Sequence, residues 1–160
     1  MLLIKYALTN CRRSLKGEWP MADYICFQKI RTEKDVMEVH VSAGNPVIAA
    51  CAKIYVDDKI LSDLQEQIFF FLREQDLAAY WENDVPGIGG PPCVTLKFLP
   101  QDNKELVLAE IYMELNDGGS FMEHNCRFYV SVNRAQLEAF ALGIPEFCSG
   151  SSGCSLSLGK

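Results

Sequence analysis

Apolar side chains recur at every second position along three stretches of the second half of the chain. The runs are Val94, Leu96 and Phe98; Val107, Ala109, Ile111, Met113 and Leu115; and Cys126, Phe128, Val130 and Val132. Period-two alternation marks strands with one buried face. The turn formers Asp102-Asn103 and Asn116-Asp117-Gly118-Gly119 separate the runs, so the three strands are expected to pair antiparallel in succession. The first half repeats the pattern. Met37, Val39 and Val41 alternate with Glu38, His40 and Ser42, Gly44-Asn45-Pro46 supplies turn chemistry, and Ile48, Ala50, Ala52, Ile54 and Val56 continue the alternation. A shorter strand-like run, Tyr24 to Gln28, precedes them and is broken by charge from Lys29 to Asp35.

Two segments change period. Asp57 and Asp58 can cap and charge the N-terminus of a helix running to about Gln75. At 100° per residue Leu61, Leu64, Ile68, Phe71 and Leu72 form its inward stripe. Phe70 points almost opposite, among Glu66, Arg73 and Glu74, either covered by another segment or exposed as an anchor for a partner. Asn133 and Gln136 form a capping box for a second, short helix bearing Leu137, Phe140 and Ala141, which Pro145 is expected to close. Residues 148–160, rich in Ser and Gly, read as a flexible tail. The expected architecture is therefore α+β: an antiparallel sheet of five to six strands with two helices, in the order ββ(β)-α-βββ-α. The folded domain spans 21–147, after an N-terminal extension of residues 1–20 whose nativeness is open, since Met21-Ala22-Asp23 would itself make a start.

Charge narrows the choice of partners. Residues 1–20 hold Lys5, Arg12, Arg13 and Lys16 against Glu18, so the net −6 of the whole chain becomes −9 over the remainder. An acidic body repels phosphate backbones and anionic lipid, which disfavours nucleic acid and membrane surfaces and favours a basic protein. Solubility alone also accounts for such a charge. Seven cysteines without CxxC spacing argue against both a disulfide framework and a zinc site. Reduced thiols and the lack of a long apolar leader fit a cytoplasmic protein, and no stretch reaches the ~18 apolar residues of a membrane span.

Candidate chemistry is sparse. The Gly87-Ile88-Gly89-Gly90 core of loop 83–92 lacks a following Lys-Ser/Thr pair, and Pro91-Pro92 forbids the helix start that a phosphate loop needs. His124 and Cys126 would share a strand face, yet Cys126 is in phase with the core, whereas a thiolate nucleophile needs an accessible, electropositive setting. No cofactor or metal set emerges, and the sequence points to binding rather than catalysis. The outward positions are more informative. Glu110, Tyr112 and Glu114 alternate along one strand, and Arg127, Tyr129 and Ser131 occupy the solvent phase of the next. Two carboxylates on an unwalled strand make a poor acid and base pair, whereas tyrosines flanked by carboxylates suit a protein-binding face or cross-strand ion pairs.

The order of elements from Met37 to Ile144 resembles the WapI-type immunity proteins of bacterial polymorphic and contact-dependent toxin systems. The matching parts are the strand pair Val36-Met37-Glu38-Val39-His40-Val41-Ser42-Ala43-Gly44 and Val47 to Val56, the helix Leu61 to Leu72, three strands, and the helix from Asn133 to Phe140. The resemblance implies a cytoplasmic inhibitor that binds one cognate toxin domain and blocks its active site or substrate path. It also implies a gene lying beside that of the toxin. On that reading Glu110, Tyr112, Glu114, Tyr129 and Phe70 belong to the binding surface. Two alternatives stand beside it: a small-ligand or assembly module with a groove lined by Phe69, Phe70, Tyr80 and Trp81, and a small thiol or carboxylate enzyme in which loop 83–92 arches beside His124.

Overall fold

The computed structural model describes residues 22–83, 94–115 and 124–159. These fold into eight strands and two helices: β1 (Tyr24–Glu33), β2 (Val36–Gly44), β3 (Ala49–Val56), α1 (Asp58–Arg73), β4 (Ala79–Glu82), β5 (Val94–Pro100), β6 (Leu106–Leu115), β7 (His124–Asn133), α2 (Arg134–Ser149) and β8 (Ser155–Gly159). The α+β class is as expected, but the strands form two four-stranded antiparallel sheets, β3-β2-β1-β8 and β4-β5-β6-β7, in place of one sheet of five or six. Each sheet has one apolar face. Both faces and the two helices close on one continuous core, in which Phe27 of β1 meets Trp81 of β4 at 6.2 Å and Phe140 of α2 edge-on at 5.6 Å.

Three expectations fail for identifiable reasons. β1 does not stop at Lys29; it continues to Glu33 through a bulge between Lys29 and Arg31. The bulge resets the side-chain phase, so Arg31, which simple alternation would turn inward after Phe27 and Lys29, pairs instead with Glu38 on the outer face at 2.8 Å. Residues 148–159 do not form a flexible tail. Cys148 and Ser149 complete α2, and β8 lies along β1 with Leu158 opposite Ile25 and 2% exposed. Cys148 and Cys154 are free thiols, and burial first, then Asp58, pushes the Cys148 thiol up to about 11. Alkylation at pH 8 should therefore modify Cys148 at least about tenfold more slowly than a peptide cysteine, because only the thiolate reacts; mass spectrometry of the tryptic peptides checks this.

Pro145 does not close α2 either; it sits inside it. Proline withholds the N–H that the carbonyl four residues earlier would accept. That carbonyl, of Ala141, is supplied from outside the helix: Gln65 Nε2 of α1 donates to it at 2.8 Å. The repair also locks the helices together. Gln65→Leu leaves the Ala141 carbonyl without this donor, and a loss of about 1–2 kcal/mol is expected, read as a lower urea midpoint. The predicted caps are present: Asp57 accepts from Ile60 N at 2.8 Å, and Asn133 and Gln136 close their box in both directions.

The two sheets also meet along one strand edge. The outer edge of β7 would expose unpaired backbone groups, but Asn45 Nδ2 donates to the Tyr129 carbonyl and Asp23 Oδ2 accepts from Ser131 N. Asn45 comes from the β2–β3 turn and Asp23 from the residue before β1, so the first sheet caps the edge of the second. Gly44 permits that turn, since a Cβ there would lie 2.8 Å from the Tyr24 ring and 2.9 Å from the Ile48 carbonyl.

Candidate protein-binding face

The outward face of the second sheet is laid out by strand register. Tyr80, Lys97, Glu110 and Tyr129 occupy one row across β4, β5, β6 and β7; Glu82, Thr95, Tyr112 and Arg127 occupy the next. Glu114 stands opposite Asn125 beyond them. Four of the five residues singled out for a binding surface, Glu110, Tyr112, Glu114 and Tyr129, thus share one face. Their side chains are interlocked. Tyr129 Oη donates to Glu110 Oε2 at 2.8 Å, Arg127 Nε lies 3.9 Å from Glu110 Oε1, and the Arg127 guanidinium sits 5.7 Å from the centre of the Tyr112 ring. Tyr112 Oη reaches Glu114 Oε1 at 3.5 Å. The hydrogen bond to Glu110 holds the Tyr129 phenol above its ordinary pKa, so it remains a neutral donor. On β4, at the opposite edge of the sheet, Tyr80 Oη donates to Glu82 at 2.7 Å.

Exposed pairs of this kind contribute only about 0–1 kcal/mol each to folding. Their effect is positional: the contacts bias the aromatic rings and charges toward one arrangement, which lowers the ordering cost of binding. Tyr129 is 45% exposed and Tyr80 48%, while Glu110 is largely covered by the groups leaning on it.

Phe70 does not join this face. It lies on α1, partly buried and packed on the core, the covered one of the two situations expected for it. The helical wheel places Phe70 relative to one inward stripe, whereas α1 packs against both α2 and β4. The groove proposed from Phe69, Phe70, Tyr80 and Trp81 also dissolves. Tyr80 and Trp81 are consecutive in β4 and point to opposite faces, Trp81 being 1% exposed with Nε1 donating to the Ile60 carbonyl at 2.9 Å.

Among groups considered for catalysis, Cys126 is half-buried against the core, and burial pushes its thiol above the ordinary range. That is the opposite of the shift that activates a nucleophile. His40, opposite Lys53 on the outer face of the first sheet, is lowered by burial first and by Lys53, against the pull of Glu38. Loop residues 84–92 and the turn 116–119 lie outside the described residues; Asn83, at the loop's start, holds Val94 through N–H and Oδ1 contacts at 3.2 and 2.6 Å. Among the described residues no group of three or more His, Cys, Asp or Glu side chains could hold a metal ion, and no helix is long and apolar enough to cross a membrane.

Tyr80 and Glu82 were not legible as members of the face because Ala79–Glu82 is a four-residue strand whose Ala-Tyr-Trp-Glu alternation is too short to stand out, and Lys97 was not because its place beside Glu110 depends on the order of strands in the sheet. No family model matches the chain, and no curated protein or solved structure does.

Proposed function

We propose that the chain acts by binding a basic protein, and specifically that it is an immunity protein that neutralises a cognate bacterial toxin by covering its active site or substrate path. The observation that supports this reading is the interlocked tyrosine, carboxylate and arginine lattice on the outer face of β6 and β7. Tyr and Arg are the residues that dominate protein interfaces, and the contacts among them reduce the ordering cost of association. The net −6 charge supports the same reading, because an acidic inhibitor gains association rate with a basic target through long-range attraction. The toxin itself comes from the family resemblance, in which inhibitor and target are encoded side by side.

The test uses the purified protein encoded beside this chain's own gene. Stopped-flow association with the double variant Glu110→Lys, Glu114→Lys should be slower by about tenfold or more at low salt, with a flatter dependence on ionic strength. Unchanged kinetics would remove this face from the interface. Circular dichroism of the variant checks that the fold is intact.

A further inference from the structure

The most exposed large apolar side chain among the described residues is Val47, at 92%, in the turn between β2 and β3. An isolated exposed valine is ordinary on a protein surface. Its mounting is not. Asn45 fixes the turn through its N–H and its side-chain amide: the N–H donates to the Ile48 carbonyl at 2.9 Å and Oδ1 accepts from Val47 N at 2.8 Å and Ile48 N at 3.0 Å. Its Nδ2 donates to the Tyr129 carbonyl at 2.8 Å. Pro46 removes a further backbone freedom. The turn that carries Val47 is therefore tied to the backbone of the strand that carries Tyr129 and Arg127, so the apolar knob and the polar lattice move as one body.

Acidic groups lie on the elements that hold this turn. Asp23, the residue before Tyr24, which pairs with Gly44, bonds Ser131 N of β7, and Glu110 stands opposite Tyr129 on β6, in a chain of net charge −6. An apolar tip beside acidic groups complements an apolar pocket rimmed by basic side chains. Seating it costs little ordering, since the backbone is already fixed and valine has a single stiff rotor.

We infer that Val47 is the apolar anchor of the docking surface, inserting into a pocket on a basic protein partner while the outer face of β6 and β7 forms the steering rim. The inference rests on the protein-binding reading above and adds the position of the anchor. Because anchors act mainly on dissociation and rim charges on association, the two roles separate in one experiment. The wild-type chain, Val47→Asp, Glu110→Lys and Leu142→Asp are titrated against the purified protein encoded beside the gene, with rates measured by surface plasmon resonance. Leu142, 63% exposed on α2, is the control for an exposed apolar residue remote in sequence from the turn. Val47→Asp should raise Kd about 30-fold or more through faster dissociation, Glu110→Lys should slow association, and Leu142→Asp should leave both rates within about twofold. If Val47→Asp binds as wild type while Glu110→Lys is impaired, the anchor is overturned and the face survives. An equal loss in Leu142→Asp also overturns the anchor, and absence of binding by the wild-type chain overturns the partner reading and the anchor together.

Discussion

Replacing Lys29 by alanine should cost about 3–5 kcal/mol, the largest loss expected for any surface-type residue in the chain. Lys29 is 1% exposed, on the inward face of β1. Its Nζ donates to the carbonyls of Cys148 at 2.7 Å and Gly150 at 2.9 Å, and lies 5.5 Å from the centre of the Phe147 ring. The last carbonyls of a helix have no partner within it and carry the negative end of its dipole, so a buried cation here completes α2. The backbone of the same residue holds the next segment: Lys29 N donates to the Cys154 carbonyl at 3.0 Å and Gly153 N to the Lys29 carbonyl at 2.7 Å. Alanine removes the donor, the charge and the packed stem at once. Lys29→Met keeps most of the stem and should lose about 2–3 kcal/mol, the share belonging to the orphaned carbonyls. Guanidinium unfolding with both variants checks the order, and faster amide exchange at residues 156–158 should accompany the loss, since β8 docks through this joint.

Trp81→Ala should be comparably severe, about 3–5 kcal/mol. Trp81 is 1% exposed, touches Phe27 of the opposite sheet, and donates from Nε1 to the Ile60 carbonyl of α1. One side chain thus joins both sheets and a helix, and its removal leaves a cavity where three elements meet. Trp81→Phe retains an aromatic ring and should recover more than half of the loss, so the two variants separate volume from the indole hydrogen bond in a denaturant titration.

Both residues show where sequence reading stops. Strands β2, β3, β5, β6 and β7 were legible because in each an apolar residue recurs at every second position, and α1 and the start of α2 because their caps are spelled out at Asp57, Asn133 and Gln136. The elements that were lost all depend on distant partners. A lysine at an inward position reads as the end of a strand until the C-terminus of α2 arrives, 119 residues later, to receive it. Pro145 reads as a stop until Gln65, 76 residues before the orphaned Ala141 carbonyl, supplies the missing donor. Ser155–Gly159 has the composition of a linker and becomes a strand only because β1 offers an edge. The binding face shows the same division. Glu110, Tyr112, Glu114 and Tyr129 follow from local phase, whereas the contribution of Tyr80, Lys97 and the Asn45 turn follows from how strands are ordered in space.

The proposed protein partner meets the outer face of β6 and β7 beside the β2–β3 turn. Hydrogen-exchange mass spectrometry of the wild-type chain, alone and with the purified protein encoded beside its gene, tests this most directly. Slowed exchange in peptides covering residues 44–49, 106–115 and 124–133 is the predicted result. Protection confined to α1, α2 or β8, or none at partner concentrations in the micromolar range, would contradict it.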